Sequence, residues 1–140
     1  MRAPPDKASL PDAAIVAVLR ECVPDLRAVY RYGSAGSIWE RPESDLDLAV
    51  LAARPIAYDC LMQCAARLAQ LTGKEIDLND MHRLPVTLRV QIVTEGVRLY
   101  AADRREAEEY DSRVLSEYAA LNEARRGILA DVAARGSIHG

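Results

Sequence analysis

The chain has 140 residues, a length that suits one domain built around one core. Half of its residues are hydrophobic, but with no Phe and a single Trp (Trp39), that core must rest on Leu, Val, Ile and Ala. A net charge of −3 argues against the basic face of a general nucleic-acid binder, so no direct nucleic-acid partner is expected.

The three cysteines, Cys22, Cys60 and Cys64, lack the spacing of a disulfide framework or a zinc site. Cys60 and Cys64 lie four apart in an apolar stretch and read as small buried hydrophobes. Met1 to Pro5 leads into no hydrophobic run, and no stretch reaches membrane-spanning length. A cytoplasmic protein with no membrane association is expected.

Residues 1–10 are polar and contain prolines, which suggests a loose segment. From Pro11 the spacing of Ile15, Val16 and Leu19 predicts a helix, ended by Pro24-Asp25. A short strand over 28–32 runs directly into Gly33-Ser34, and a loop then leads to a second strand over 45–51. The run 58–71 repeats its apolar residues at three- and four-residue steps and stops at Thr72-Gly73. A third strand is expected over 74–78, a helix over 85–95 and a fourth strand over 97–100. A long charged helix follows from Asp103 to about Ala134, with Tyr110, Val114, Tyr118, Leu121, Ile128 and Val132 on one stripe. Strands alternating with helices give an α/β (α+β) fold: a small mixed sheet of about four strands with flanking helices. Residues 11–102 would form the domain, and 103–140 a helical extension of it.

Two short segments can carry chemistry. In a strand over Asp45-Leu46-Asp47-Leu48-Ala49-Val50, alternation puts Leu46, Leu48 and Val50 on one face and Asp45 and Asp47 on the other. The two carboxylates then stand roughly 6–7 Å apart along the backbone. Such a pair repels itself unless a cation lies between, and hard oxygen ligands suit Mg²⁺. An ordinary solvent-facing strand carries the same alternation, so the motif alone decides nothing. Gly33 directly after a strand permits a tight turn, whose amides and the Ser34 hydroxyl could hold an anion.

Together, Gly33-Ser34, ten further residues and Asp45-x-Asp47 resemble the minimal nucleotidyltransferases, a branch of the polymerase-beta-like superfamily. The likeness covers about residues 28–100 and includes the stretch from Arg41 to Leu51. It implies a third acid on a later strand, for which Asp77 in Lys74-Glu75-Ile76-Asp77-Leu78 is the candidate. Glu75 has the same parity, and Asp80 is a weaker candidate. One departure stands out: relatives carry Gly four residues beyond the Ser, where this chain has Ile38.

The resemblance implies a catalytic and metal-binding set of Asp45, Asp47 and Asp77, with nucleotide binding by Gly33, Ser34, Asp45 and Asp47. It implies two Mg²⁺ ions as cofactor and ATP as substrate. Lys74, Arg41 and Arg31 are possible phosphate or partner contacts. Small stand-alone members resemble the antitoxin of HEPN/MNT toxin–antitoxin pairs. The implied function is transfer of AMP from ATP to a tyrosine of a HEPN ribonuclease toxin (AMPylation), within a hetero-oligomer. Two alternatives stay open: neutralisation of the toxin by binding alone, and nucleotidylation of a small molecule. The long C-terminal helix packs either on its own sheet or on a partner.

Overall fold

The computed structural model describes residues 10–33 and 45–136. Residues 1–9 of the expected loose segment, together with Ser34, Ile38 and Arg41, lie outside the described residues, and Leu10 belongs to the first helix. Helix α1 (Leu10–Cys22) leads to strand β1 (Leu26–Tyr32), and strand β2 (Leu46–Ala52) runs into helix α2 (Tyr58–Thr72). Strand β3 (Ile76–Asp80), a 3₁₀ turn (Met81–Arg83), helix α3 (Val86–Glu95), strand β4 (Val97–Ala101) and helix α4 (Arg104–Gly136) follow. Each predicted element is present, with bounds shifted by a few residues at most.

The four strands form one mixed sheet in the order β3-β2-β1-β4. Strands β2 and β3 are parallel, while β1 runs antiparallel to both β2 and β4. Both faces of the sheet are covered. Leu46, Leu48 and Val50 of β2 pack with Ile15 and Leu19 of α1 and with Leu61, Cys64 and Leu68 of α2. Ala49 and Leu51 point the other way, toward Tyr30, Met81 and Ile92 of α3. The Asp47 side of β2 is therefore buried for most of its length, and only its first residues are left for polar side chains.

Local signals explain the ends. Gly73 caps α2 in the left-handed region (φ 72°), its N–H donating to the carbonyl of Ala69, a conformation a Cβ would strain. The Asp103 carboxylate accepts from the backbone N–H groups of Arg105 and Glu106 and starts α4. Cys64 is buried as expected, and burial pushes its thiol well above the ordinary range. All three cysteines are free thiols.

Arg31, one of the possible phosphate or partner contacts, is engaged within the fold. Its guanidinium donates to both oxygens of Asp12 in α1, at 2.6 and 2.7 Å, and Asp12 is buried. The pair ties α1 to the sheet. Asp12→Ala leaves a partly buried cation uncompensated and should cost about 3 kcal/mol of stability. Urea unfolding checks this; a loss below about 1 kcal/mol would mean that the pair behaves like a solvated one.

The stripe of helix α4 is divided between the sheet and the surface. Val114 is buried and Tyr110, Tyr118 and Leu121 are half-buried, but Ile128 and Val132 are exposed. Asp111 clamps the helix to the sheet, accepting from the Tyr30 hydroxyl at 2.7 Å and from Arg98 at 2.9 Å. Burial, followed by this contact with Asp111, drives the Tyr30 pKa far above its ordinary value.

Candidate active site

Strand β2 enters the sheet beside β3, the Leu46 N–H donating to the Glu75 carbonyl at 2.9 Å. The parallel register pairs Leu46 with Ile76, Asp47 with Asp77 and Leu48 with Leu78. Leu46 and Leu78 are buried and Ile76 packs on the same core, so Asp47 and Asp77 emerge together on the opposite face. Neighbouring strands lie about 4.8 Å apart, so these two acids are closer across the ladder than Asp45 and Asp47 are along the strand. Asp45 sits just before β2 and is exposed.

The electrostatics follow from this crowding. Burial, then the Asp77 charge, a hydrogen bond shared with Asp77 and the charge of Asp45 all raise the Asp47 carboxyl above its ordinary value. Among the described residues, no group of three or more His, Cys, Asp or Glu side chains is gathered tightly enough to hold a metal ion by itself. What is present is a close pair with a third charge nearby. That donor set fits a Mg²⁺ site of few carboxylates completed by water and substrate phosphate.

Gly33 closes the other side of the pair. Its φ is +78°, and a Cβ built there would strike Oδ2 of Asp47. Both conditions require glycine, one conformational and one steric. Tyr32, paired with Asp47 across β1 and β2, completes the floor. Asn79 links the groups: its amide donates to the Tyr32 hydroxyl at 2.9 Å and to Asp77 at 3.2 Å. Burial first, then the Asp77 charge, raise the Tyr32 pKa, and the Asn79 hydrogen bond opposes them. A cleft of about 410 Å³ opens beside Gly33, lined by Tyr32 and by Leu88, Gln91 and Glu95 of α3.

The two reserve acids are elsewhere. Glu75 is exposed ahead of β3. Asp80 is buried at the strand's other end, where it accepts from the N–H groups of Ile56 and His82. It therefore serves as a backbone cap. The His82 ring meets the Ala52 carbonyl through Nε2 at 2.8 Å. Asn79 and Tyr32 were missed as site residues by the sequence reading. For Asn79 a signal was available, since it shares the parity of Asp77. The α3 side chains of the cleft carry no local signal.

The chain has relatives that match this arrangement. The family described as polymerase beta, nucleotidyltransferase, matches residues 14–105. Protein adenylyltransferase MntA of Shewanella oneidensis is 31% identical over 120 residues, 86% of each chain. The solved complex of a tri-AMPylated Shewanella oneidensis HEPN toxin with an MNT antitoxin aligns at a TM-score of 0.74 and 29% identity, covering 91% of this chain and 99% of the other. A toxin–antitoxin structure with AMP-PNP aligns at 0.75 and 30% identity, covering 87% and 98%. The family match spans both cores of the sheet, from α1 to the start of α4, and takes in Gly33, Asp45, Asp47 and Asp77. With these carboxylates and that glycine on such a sheet, the chain belongs to the polymerase beta nucleotidyltransferase family.

Proposed function

We propose that the protein transfers AMP from ATP to a tyrosine hydroxyl of a HEPN-type partner and so acts as its antitoxin. One observation carries the reading: the in-register Asp47–Asp77 pair, crowded by Gly33, in a chain whose adenylyltransferase relative aligns over 86% of both lengths.

In this reading Asp45, Asp47 and Asp77 would hold the Mg²⁺, with Asp77 set toward the acceptor. When bound, Mg²⁺ supplies Lewis-acid stabilisation of the phosphates and lowers the acceptor's pKa. Gly33 and Ser34 seat the terminal phosphates. The acceptor oxygen forms a bond to the α-phosphorus as the bond to the bridging oxygen of the β-phosphate breaks, and pyrophosphate departs. Asp77 takes up the phenolic proton. Asn79 keeps Asp77 turned toward the site, and Tyr32 stays neutral beneath it.

Purified protein, Mg²⁺ and ATP should raise the mass of the HEPN-type partner by one or more AMP units in intact-mass spectrometry. A partner that is inhibited yet unmodified would overturn the transferase reading in favour of neutralisation by binding. Among the described residues no helix is long and apolar enough to cross a membrane.

A further inference from the structure

Beyond Asn122, helix α4 leaves the body of the domain, and every residue from Glu123 to Ala134 is exposed. Its apolar stripe nevertheless continues. Val114, Tyr118 and Leu121 face the domain, and the same three- and four-residue steps pass through Arg125 to Ile128 and Val132. Those two are 63% and 54% exposed, with Leu129 beside them at 66%. A contiguous apolar face on a charged helix is the mark of a contact surface.

The topology fixes where this arm lies. Strand β1 runs toward Gly33, β4 runs back from that end, and α4 then returns along the sheet. Glu106 meets Arg27 at the start of β1, and Asp111 meets Tyr30 farther along it. Gly33 is three residues beyond Tyr30, roughly 10 Å of strand, which α4 matches in about seven residues at 1.5 Å each. The exposed segment from Glu123 onward therefore extends past the catalytic end of the sheet.

We infer that this arm is a docking seat for the protein acceptor, engaging an amphipathic helix of the partner through Ile128, Leu129 and Val132. The inference rests on the adenylyltransferase reading for the partner's identity. Position favours the acceptor over a second copy of the chain, because only an acceptor has to reach the end of the sheet that the arm flanks. Area favours it too. Twelve residues give about 18 Å of helix, and pairing two such arms covers roughly half of the ~800 Å² per partner of a standard interface. A partner that rests on the arm and also meets the catalytic edge reaches that size. Arg125, set within the stripe, calls for a carboxylate opposite it on the partner helix.

The test is the double variant Ile128→Lys, Val132→Lys of the full chain, with a HEPN-type protein from the same genome as probe. Both positions are exposed, so folding is not at stake. Titration calorimetry should give a Kd for the probe at least tenfold weaker, and steady-state transfer should give a KM for the probe raised to match. The kcat at saturation and the affinity for Mg²⁺–ATP should not change. Arg125→Glu should also weaken probe binding several-fold.

An unchanged Kd would overturn the inference. So would loss of self-association in light scattering with unchanged Kd, an outcome that would assign the face to a second copy. If the wild type binds the probe without modifying it, the adenylyl-transfer reading fails while the Kd comparison still decides the arm. If the wild type modifies the probe and the variant does so with the same KM, the arm fails and the transfer reading stands. A wild type that does not bind the probe overturns both.

Discussion

Asp47→Asn should abolish AMP transfer, lowering the rate by about a thousandfold or more, and at the same time make the metal-free protein more stable. The rate loss follows from removing one of the carboxylates proposed to hold Mg²⁺. Metal stabilisation of phosphoryl charge is worth several kcal/mol, and about 1.4 kcal/mol is tenfold. The gain in stability follows from the crowding of Asp45, Asp47 and Asp77. The folded-state pKa of Asp47 lies above its ordinary 3.8, so the folded chain holds this proton more tightly than the unfolded chain. Stability from this group is therefore fully present below the ordinary value and lost as pH rises through the raised one. The wild type should lose stability across that window, and Asp47→Asn should lack this contribution to the slope. Urea unfolding at a series of pH values in chelator measures it. Identical slopes for the two proteins would show that the crowding is relieved in solution, and retained transfer would remove Asp47 from the catalytic set.

Gly33→Ala should be nearly as damaging, although it adds one methyl group. The left-handed backbone costs a non-glycine residue about 1–2 kcal/mol. The new methyl also meets Oδ2 of Asp47, so either the turn or the carboxylate must move. A displacement of about 1 Å at reacting groups can cost a hundredfold in rate, which is the loss expected here. Thermal unfolding should fall by only a few degrees, since a ΔΔG of 1 kcal/mol shifts the midpoint by about 4 °C at this size. Transfer within threefold of wild type would mean that Gly33 shapes the turn without bearing on the acids.

Alternation along residues 45–51 and 74–78 was enough to put Asp47 and Asp77 on a common face, because strand parity is a local property. The same parity extended two residues further reaches Asn79, whose amide bridges Tyr32 and Asp77. Pairings between distant elements had no such trace. Arg31 finds Asp12 nineteen residues away through the packing of α1 on the sheet. Asp80 looked like a spare ligand until the 3₁₀ turn after β3 brought backbone N–H groups to it. In α4 the three- and four-residue steps are visible in the sequence, but periodicity cannot tell where a helix outruns the surface beneath it.

The Asp111 clamp makes α4 a lever. Twenty-one residues separate Asp111 from Val132, about 31 Å of helix at 1.5 Å per residue. A pivot of about 5° at the clamp swings the tip by nearly 3 Å, about the length of a hydrogen bond. The hydroxyl of Tyr30 and the guanidinium of Arg98, with Arg89 on Glu117 farther along, thus help set the aim of a surface they never touch. A Tyr30→Phe chain would keep its fold and its carboxylates yet present the far end of α4 with a broader spread of directions.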